Sequence, residues 1–254
     1  MSPLVQIARE INCSHCGAPL QVQPGEILAT CHYCGFTSVI ETGKPFEFEH
    51  SLILNMVQAP QVVGAVQSWM GNSFIAPKGL VKKSTIAEQN LVYLPLWVVS
   101  GEATSHYKGI FERISPATEQ EGDIADTYDW LVLARKQTDF PTRAYHLSLN
   151  GKIPFEATKI EGGAKTLNSE MTADEAVSQA KSEIESLHEQ LAKDKVDRIM
   201  DMKTELKVSE AVYLHAPVWF VSYEYKKSRY QVLLDGSSGE VIKGDLPNVD
   251  FKLL

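Results

Sequence analysis

The strongest constraint on what this chain can fold into is its cysteines, which all fall in two short motifs of one form. They are Cys13-Ser14-His15-Cys16-Gly17 and Cys31-His32-Tyr33-Cys34-Gly35. Fourteen residues separate the pairs, so the pattern reads C-x2-C-x14-C-x2-C. In each pair the backbone turns both sulfurs toward one point, and the glycine that follows tolerates a positive φ. The interval from Ala18 to Thr30 can run out and back as a hairpin, with Pro24-Gly25 at the turn. Four thiolates complete a tetrahedral shell and leave no position for water or substrate. The pattern therefore predicts metal binding by Cys13, Cys16, Cys31 and Cys34, with one structural Zn2+ that stabilises a fold and does no chemistry. Iron, held as in rubredoxin-like knuckles, is the alternative metal. His15 and His32 are expected to be exposed knuckle residues rather than ligands.

The segment from Ile11 to Ile40, which carries both motifs, resembles the small zinc ribbons of transcription and translation proteins. That resemblance implies zinc and names no function. The remainder is too long to be ribbon alone. With 254 residues, 44 % hydrophobic and 22 % charged, the chain has the composition to bury one or two further cores. No run approaches eighteen uninterrupted apolar residues, so no membrane span is expected. Met-Ser-Pro opens the chain without a basic and then apolar leader, and no thiol lies outside the metal site. A cytoplasmic location is the expectation. The net charge is −8, and around the ribbon only Arg9 and Lys44 are basic, against Glu10, Glu26 and Glu41. A surface built to grip phosphates clusters Lys and Arg, so this balance argues against nucleic acid as the ribbon's partner.

An internal repeat organises the rest. Pro95-Leu96-Trp97-Val98-Val99-Ser100-Gly101-Glu102 reads almost onto Pro217-Val218-Trp219-Phe220-Val221-Ser222-Tyr223-Glu224, with Pro, Trp, Val, Ser and Glu recurring in identical register. Val92-Tyr93-Leu94 and Val212-Tyr213-Leu214 precede the two copies. Each copy has a helix ahead of its strands. One opens at Ala59-Pro60 and runs to about Met70. The other opens with the capping box Thr172-Ala173-Asp174-Glu175 and is expected to continue to about residue 203. Strands are expected over Val81–Leu94, Leu96–Thr104, His106–Ile114 and Tyr128–Arg135 in the first part, with Arg143–Leu149 as a strand opening the linker into the second. In the second they are expected over Glu205–Leu214, Pro217–Tyr225, Arg229–Leu234 and Val241–Ile242, with hairpin turns between. The fold class that follows is α+β: a zinc ribbon over residues 1–44, then two repeated helix-plus-antiparallel-sheet modules over 45–140 and 141–254.

Two further likenesses rest on named residues. Thr172, Glu175 and Ala176, with Asp235, Gly236, Gly239 and Glu240, make the end of the chain similar to PepSY-like domains. Those domains bind or inhibit other proteins, so the likeness implies a non-catalytic role. Tyr93, Pro95 and Trp97 match a Y-x-P-x-W strand, and the whole chain resembles uncharacterised prokaryotic zinc-ribbon proteins that carry it.

Phosphate-loop, dinucleotide, metalloprotease and nucleophile-elbow signatures are all absent from the sequence. His50, His106, His146, His188 and His215 lack metal-ligand spacing, and His215 is expected to be structural beside Tyr213. Trp97 and Trp219 are expected to be twin core anchors. The run Glu119, Glu121, Asp123, Asp126 and Asp129 is expected in a solvated loop. The function expected from these features is that of a non-enzymatic adaptor that recognises a protein partner. One alternative is a nucleic-acid- or ribosome-associated protein using Tyr223, Tyr225, Lys226, Lys227, Arg229 and Tyr230 at a hairpin tip. Another is an enzyme with an unrecognised site between the two modules.

Overall fold

The computed structural model describes residues 11–20, 22, 26–40, 49–136 and 138–248. The expected Pro24-Gly25 turn lies outside the described residues, as do residues 41–45 at the boundary expected between ribbon and body. Four short strands form the ribbon: β1 (Ile11–Asn12), β2 (Pro19–Leu20), β3 (Leu28–Thr30) and β4 (Thr37–Val39). Then come β5 (His50–Ile53), α1 (Ala59–Asn72), α2 (Leu80–Lys83), β6 (Ser84–Phe111) and β7 (Thr118–Leu133). They are followed by β8 (Lys152–Pro154), β9 (Lys165–Thr166) and α3 (Ala173–Lys193). The described chain closes with β10 (Arg198–Tyr225), β11 (Ser228–Asp235) and β12 (Val241–Gly244).

Two 28-residue strands, β6 and β10, dominate the molecule. They pair antiparallel from Ser84↔Tyr225 to Ile110↔Arg198, and all eight strands of the body join one sheet around them. This corrects the expected fold class: 46 % strand against 21 % helix is a mostly β protein, not two helix-plus-sheet modules. The two Pro-x-Trp segments lie side by side as central strands of the same sheet. Pro95 faces His215, and Pro217 faces Tyr93.

Why the strands do not break at the prolines follows from where their missing N–H groups point. In an extended strand a residue's N–H and C=O aim at the same neighbour. The Pro95 carbonyl accepts from Ala134 N, on the side of β6 away from β10, and the Pro217 carbonyl accepts from Gly236 N in the same sense. On that outer side of β6, β9 pairs at Val92–Tyr93 and β7 takes over at Leu96. On β10 the handover runs from β5 at Tyr213–His215 to β11 at Val218. Each proline thus sits where no outer partner strand would use its N–H, and the inner ladder continues past it.

Both faces of the central strands are apolar, so both must be covered. Leu91, Tyr93, Trp219, Val221 and Tyr223 pack under α1 through Val62, Val66 and Met70. On the same face, Trp97, Val99, Ala103 and Tyr213 pack under α3 through Ala173, Ala176, Ala180 and Ile184. The opposite face presents Leu94, Leu96, Val98, Leu214, Ala216 and Val218, closed by Phe140 and Tyr145 from the connection after β7.

Other elements also differ from expectation. Helix α3 begins at the foreseen capping box but ends at Lys193, not near residue 203. Past Val196, which is fully buried, the pattern changes to alternation, with Ile199, Met202, Thr204 and Leu206 turned inward and charged residues between them. The segment from Arg143 to Leu149 is not a strand; a 3-10 turn covers Thr142–Ala144. The acidic run lies on strand β7 rather than in a loop, opposite β6. There His106 meets Asp123 at 2.9 Å and Lys108 meets Glu121 at 3.4 Å. A bulge separates Val208 from Glu210 opposite Gly101, where a side chain would collide with the Lys207 carbonyl oxygen.

Candidate metal centre

Each Cys-x-x-Cys turn sits at the tip of its own two-stranded hairpin, one between β1 and β2 and one between β3 and β4. The two turns are built alike. Cys13 N donates to Ala18 O (2.8 Å) and Gly17 N to Cys13 O (2.8 Å), while Cys31 N donates to Phe36 O (2.9 Å) and Gly35 N to Cys31 O (2.9 Å). Gly17 and Gly35 take φ of 77° and 75°, the left-handed conformation that glycine adopts without steric cost. These turns bring all four sulfurs within 4.8 Å of one another. Cys13 Sγ lies 3.6 Å from Cys34 Sγ, and Cys16 Sγ lies 3.6 Å from Cys31 Sγ. A tetrahedral zinc with arms of about 2.3 Å spaces its sulfurs by about 3.8 Å, so the group is positioned for metal ligation. Cys13 and Cys31 are buried, and Cys16 and Cys34 face outward.

The thiols also act on one another. Burial opposes ionisation of Cys13, yet backbone N–H groups of Cys16 and His15 and the neighbouring sulfurs bring it down to about 7. Burial pushes Cys34 up to about 12, aided by the crowding of Cys16, Cys13 and Cys31. Such a cluster sheds protons readily only when a cation takes the place of some of them.

The second hairpin is tied to the body by groups that sequence spacing did not reveal. Ile27 N and Leu28 N donate to Ser169 O at 2.9 and 3.3 Å, and Thr30 N donates to Asn168 Oδ1 at 3.1 Å. Leu28 joins the cluster beneath α3, with Ile27 and Val39 against it. Arg135 is held between two buried carboxylates: its Nη1 is 2.7 Å from Glu26 Oε1 and its Nη2 is 3.1 Å from Glu170 Oε1. Asn168 Nδ2 donates to the second Glu26 oxygen at 2.8 Å, and Lys136 N donates to Glu170 at 2.6 Å.

A second link runs through two histidines. Thr30 Oγ1 meets Thr37 Oγ1 (2.9 Å), Thr37 Oγ1 meets His50 Nδ1 (3.0 Å), and His50 Nε2 meets His215 Nδ1 (2.9 Å). His215 Nε2 lies 2.8 Å from Leu167 O. The carbonyl can only accept, and that fixes the rest. His215 Nε2–H donates to Leu167, so the neutral ring accepts at Nδ1 from His50 Nε2–H. His50 then accepts at Nδ1 from the Thr37 hydroxyl, which in turn accepts from Thr30. Burial holds both rings in the neutral form: His215 falls to about 4 and His50 lies well below its ordinary range. His215, fully buried, has its ring 5.2 Å from that of Tyr213.

Elsewhere, Ser105 Oγ meets His188 Nδ1 at 2.7 Å and Tyr128 OH meets His188 Nε2 at 2.8 Å. Ser105 is fully buried and shares its hydroxyl with Thr204, so this pair is an interior network between α3 and the sheet. Trp97 and Trp219 are both buried. The hairpin residues Lys226, Lys227 and Arg229 are exposed, and Arg229 meets Glu88 at 3.1 Å. Tyr223 and Tyr225 are buried, with Tyr223 stacked on Tyr230 at 5.2 Å, so these two tyrosines offer no open ring face to a base. No helix among the described residues is long and apolar enough to cross a membrane. Compared with known proteins, the chain matches no family model, no curated protein and no solved structure.

Proposed function

We propose that the protein is a non-catalytic adaptor whose ribbon carries one structural zinc ion and presents a recognition knob to a protein partner. The observation that carries this reading is the closed shell of four cysteine sulfurs. With every tetrahedral position taken by protein, a metal there organises a surface and has no site left for a substrate. The knuckles point their remaining side chains outward. Ser14, His15 and His32 are exposed, and Tyr33 is 71 % exposed at the tip of the second turn. An exposed aromatic on a rigid turn is a common anchor of protein interfaces. The latch of Glu26, Arg135 and Glu170 would hold that turn at a fixed angle, and a cytoplasmic setting suits a thiolate site.

The test is affinity purification of the tagged protein from its own cells with nuclease present, beside Cys13→Ser/Cys16→Ser. Metal analysis of the wild type should give one zinc per chain, and protein partners should be lost in the variant. Absence of zinc, or a partner set that the variant retains, overturns the reading.

A further inference from the structure

One end of the sheet differs in character from the rest of this acidic molecule. Ser84, the first residue of β6, pairs with Tyr225, the last of β10, and its hydroxyl reaches Met70 Sδ at 3.6 Å. The end of α1, helix α2 and the β10–β11 turn therefore meet around one residue. Lys78, Lys82 and Lys83 come from the α2 side and Lys226, Lys227 and Arg229 from the turn, and all six are exposed. None of the five lysines is ion-paired among the described residues, and Arg229 alone meets a carboxylate, Glu88. Residues 71–87 contain no Asp or Glu, and neither do residues 225–234. Among the described residues the patch is bordered by Glu88, by Glu224, which is Arg229's partner across the ladder, and by Asp245, whose carboxylate accepts from Gln231 N at 3.4 Å.

Two apolar side chains project from the same end. Phe74 is 105 % exposed and Ile75 is 71 % exposed, in the loop leaving α1. Met56, Ile114 and Met200 are also exposed elsewhere in the body, at 67 %, 54 % and 60 %, but Phe74 is the most exposed large apolar side chain among the described residues and Ile75 stands next to it.

The β10–β11 turn adds an independent sign. Lys226 and Lys227 both have positive φ, 48° and 68°. A two-residue turn of this kind favours Asn-Gly or Gly-Gly, because the left-handed region strains a branched or long side chain. Two lysines stand here at a backbone cost, both exposed, with the Lys226 ammonium 5.3 Å from the centre of the Tyr225 ring and Lys227 directed to solvent.

We infer that this end is a docking surface for an anionic lipid bilayer, with Phe74 and Ile75 entering the headgroup–acyl boundary and the six cations facing the phosphates. Apolar groups ringed by lysines match the two forces that hold peripheral proteins on such membranes. Nucleic acid fits the same end less well. Phe74 is one exposed ring, but Ile75 beside it has none to stack, and Tyr223 and Tyr225, which could have extended a stacking platform, are buried. The remaining acidic surface would be repelled, so only one orientation can approach the bilayer.

The test uses the full-length, metal-loaded protein with vesicles of phosphatidylcholine alone or with phosphatidylserine, and with a single-stranded RNA in parallel. Partition onto the phosphatidylserine vesicles is expected, weakened by added salt. Lys226→Gln/Lys227→Gln should lower it about 25-fold, from roughly fivefold per lysine. Phe74→Ser/Ile75→Ser should lower it by more than about tenfold. Thermal melts check that these surface variants fold, and quenching of Phe74→Trp by brominated lipid reports insertion in an otherwise wild-type surface. Absence of partition overturns the inference, as does partition that Phe74→Ser/Ile75→Ser leaves unchanged or a Phe74→Trp that brominated lipid does not quench. RNA binding that survives Phe74→Ser/Ile75→Ser and fails in the lysine variant would reassign the surface to nucleic acid.

Discussion

Trp97 and Trp219 hold the same place in the two repeated segments and end in different surroundings. Both indoles donate to the chain just ahead of the helix that covers them. Trp97 Nε1 reaches Met171 O at 3.2 Å, and Trp219 Nε1 reaches Asn55 Oδ1 at 3.1 Å and Val57 O at 3.2 Å. Trp97 is fully enclosed, and the second ribbon hairpin adds Leu28 to its cluster. Trp219 borders a cleft of about 640 Å³ lined by Asn55, Gln58, Gln89 and Glu161. Like sequence gives like local geometry, and the difference is the cysteine-bearing hairpin that seals one half of the sheet. The sealed half is held by buried charge and neutral histidines; the open half relies on α1 and apolar contact.

The comparison can be broken most directly at Arg135. Arg135→Ala would leave Glu26 and Glu170 buried without their cation, a loss of about 3–5 kcal/mol. On the open side, Tyr93→Phe removes a 2.7 Å bond to Glu161 and should cost about 1 kcal/mol. Urea denaturation of both variants decides it, and equal losses would show that the ribbon latch has no special weight.

Acid should separate the halves next. His215 titrates at about 4 in the fold against an ordinary 6.5, so the unfolded chain takes up its proton first as pH falls. Its contribution is fully present above about pH 6.5 and is lost on the way down to about 4, near 3 kcal/mol in all. His50 shifts in the same direction and adds to the loss. Stability measured at pH 7 and pH 4.5 should fall much further in the wild type than in His215→Leu; parallel falls would remove the histidine link from the account.

The helix caps give the smallest contrast. Thr172 Oγ1 accepts from Glu175 N at 3.2 Å, and Thr172 N donates to Glu175 at 2.8 Å. At α1, Gln58 N donates to the Gln61 side chain at 2.8 Å. Thr172→Ala should cost about 1 kcal/mol, and Gln61→Ala, which removes one exposed bond, about half of that. Thermal melts resolve the pair, and the reverse order would refute the cap assignment.

What could be read in advance was local. The knuckles declare themselves because four residues and a following glycine fix each turn, and the start of α3 does so because Thr172 and Glu175 act within one helical turn. The end of α3 was hidden by the helix-favouring Lys195, Arg198, Met200 and Met202, where the decisive buried residue is Val196. Pro95 and Pro217 looked like strand boundaries because a sequence cannot show which side of a strand lacks a neighbour. The repeat shows that two segments are alike and not that they pair with each other, so one sheet was read as two. Glu26, Arg135 and Glu170 are far apart in the chain and leave no pattern. Lys82-Lys83 next to Ser84 was visible, but its meeting with Lys226-Lys227 depends on the register of β6 against β10.

That register also sets a timetable for the newborn chain. Trp97 faces Tyr213, 116 positions later. At about 5–20 residues per second, the ribosome needs roughly 6–23 s to deliver the partner strand after Trp97 has been made. For that interval the most apolar strand of the first half has a bare edge, and β6 cannot be completed by anything the ribosome has yet synthesised. The ribbon, whose cysteines are all made before residue 35, has its four possible metal ligands in place during the wait. Its docking surface at Ser169 arrives well after it, so the cysteine-bearing hairpin is ready to close the fold as soon as the second half appears.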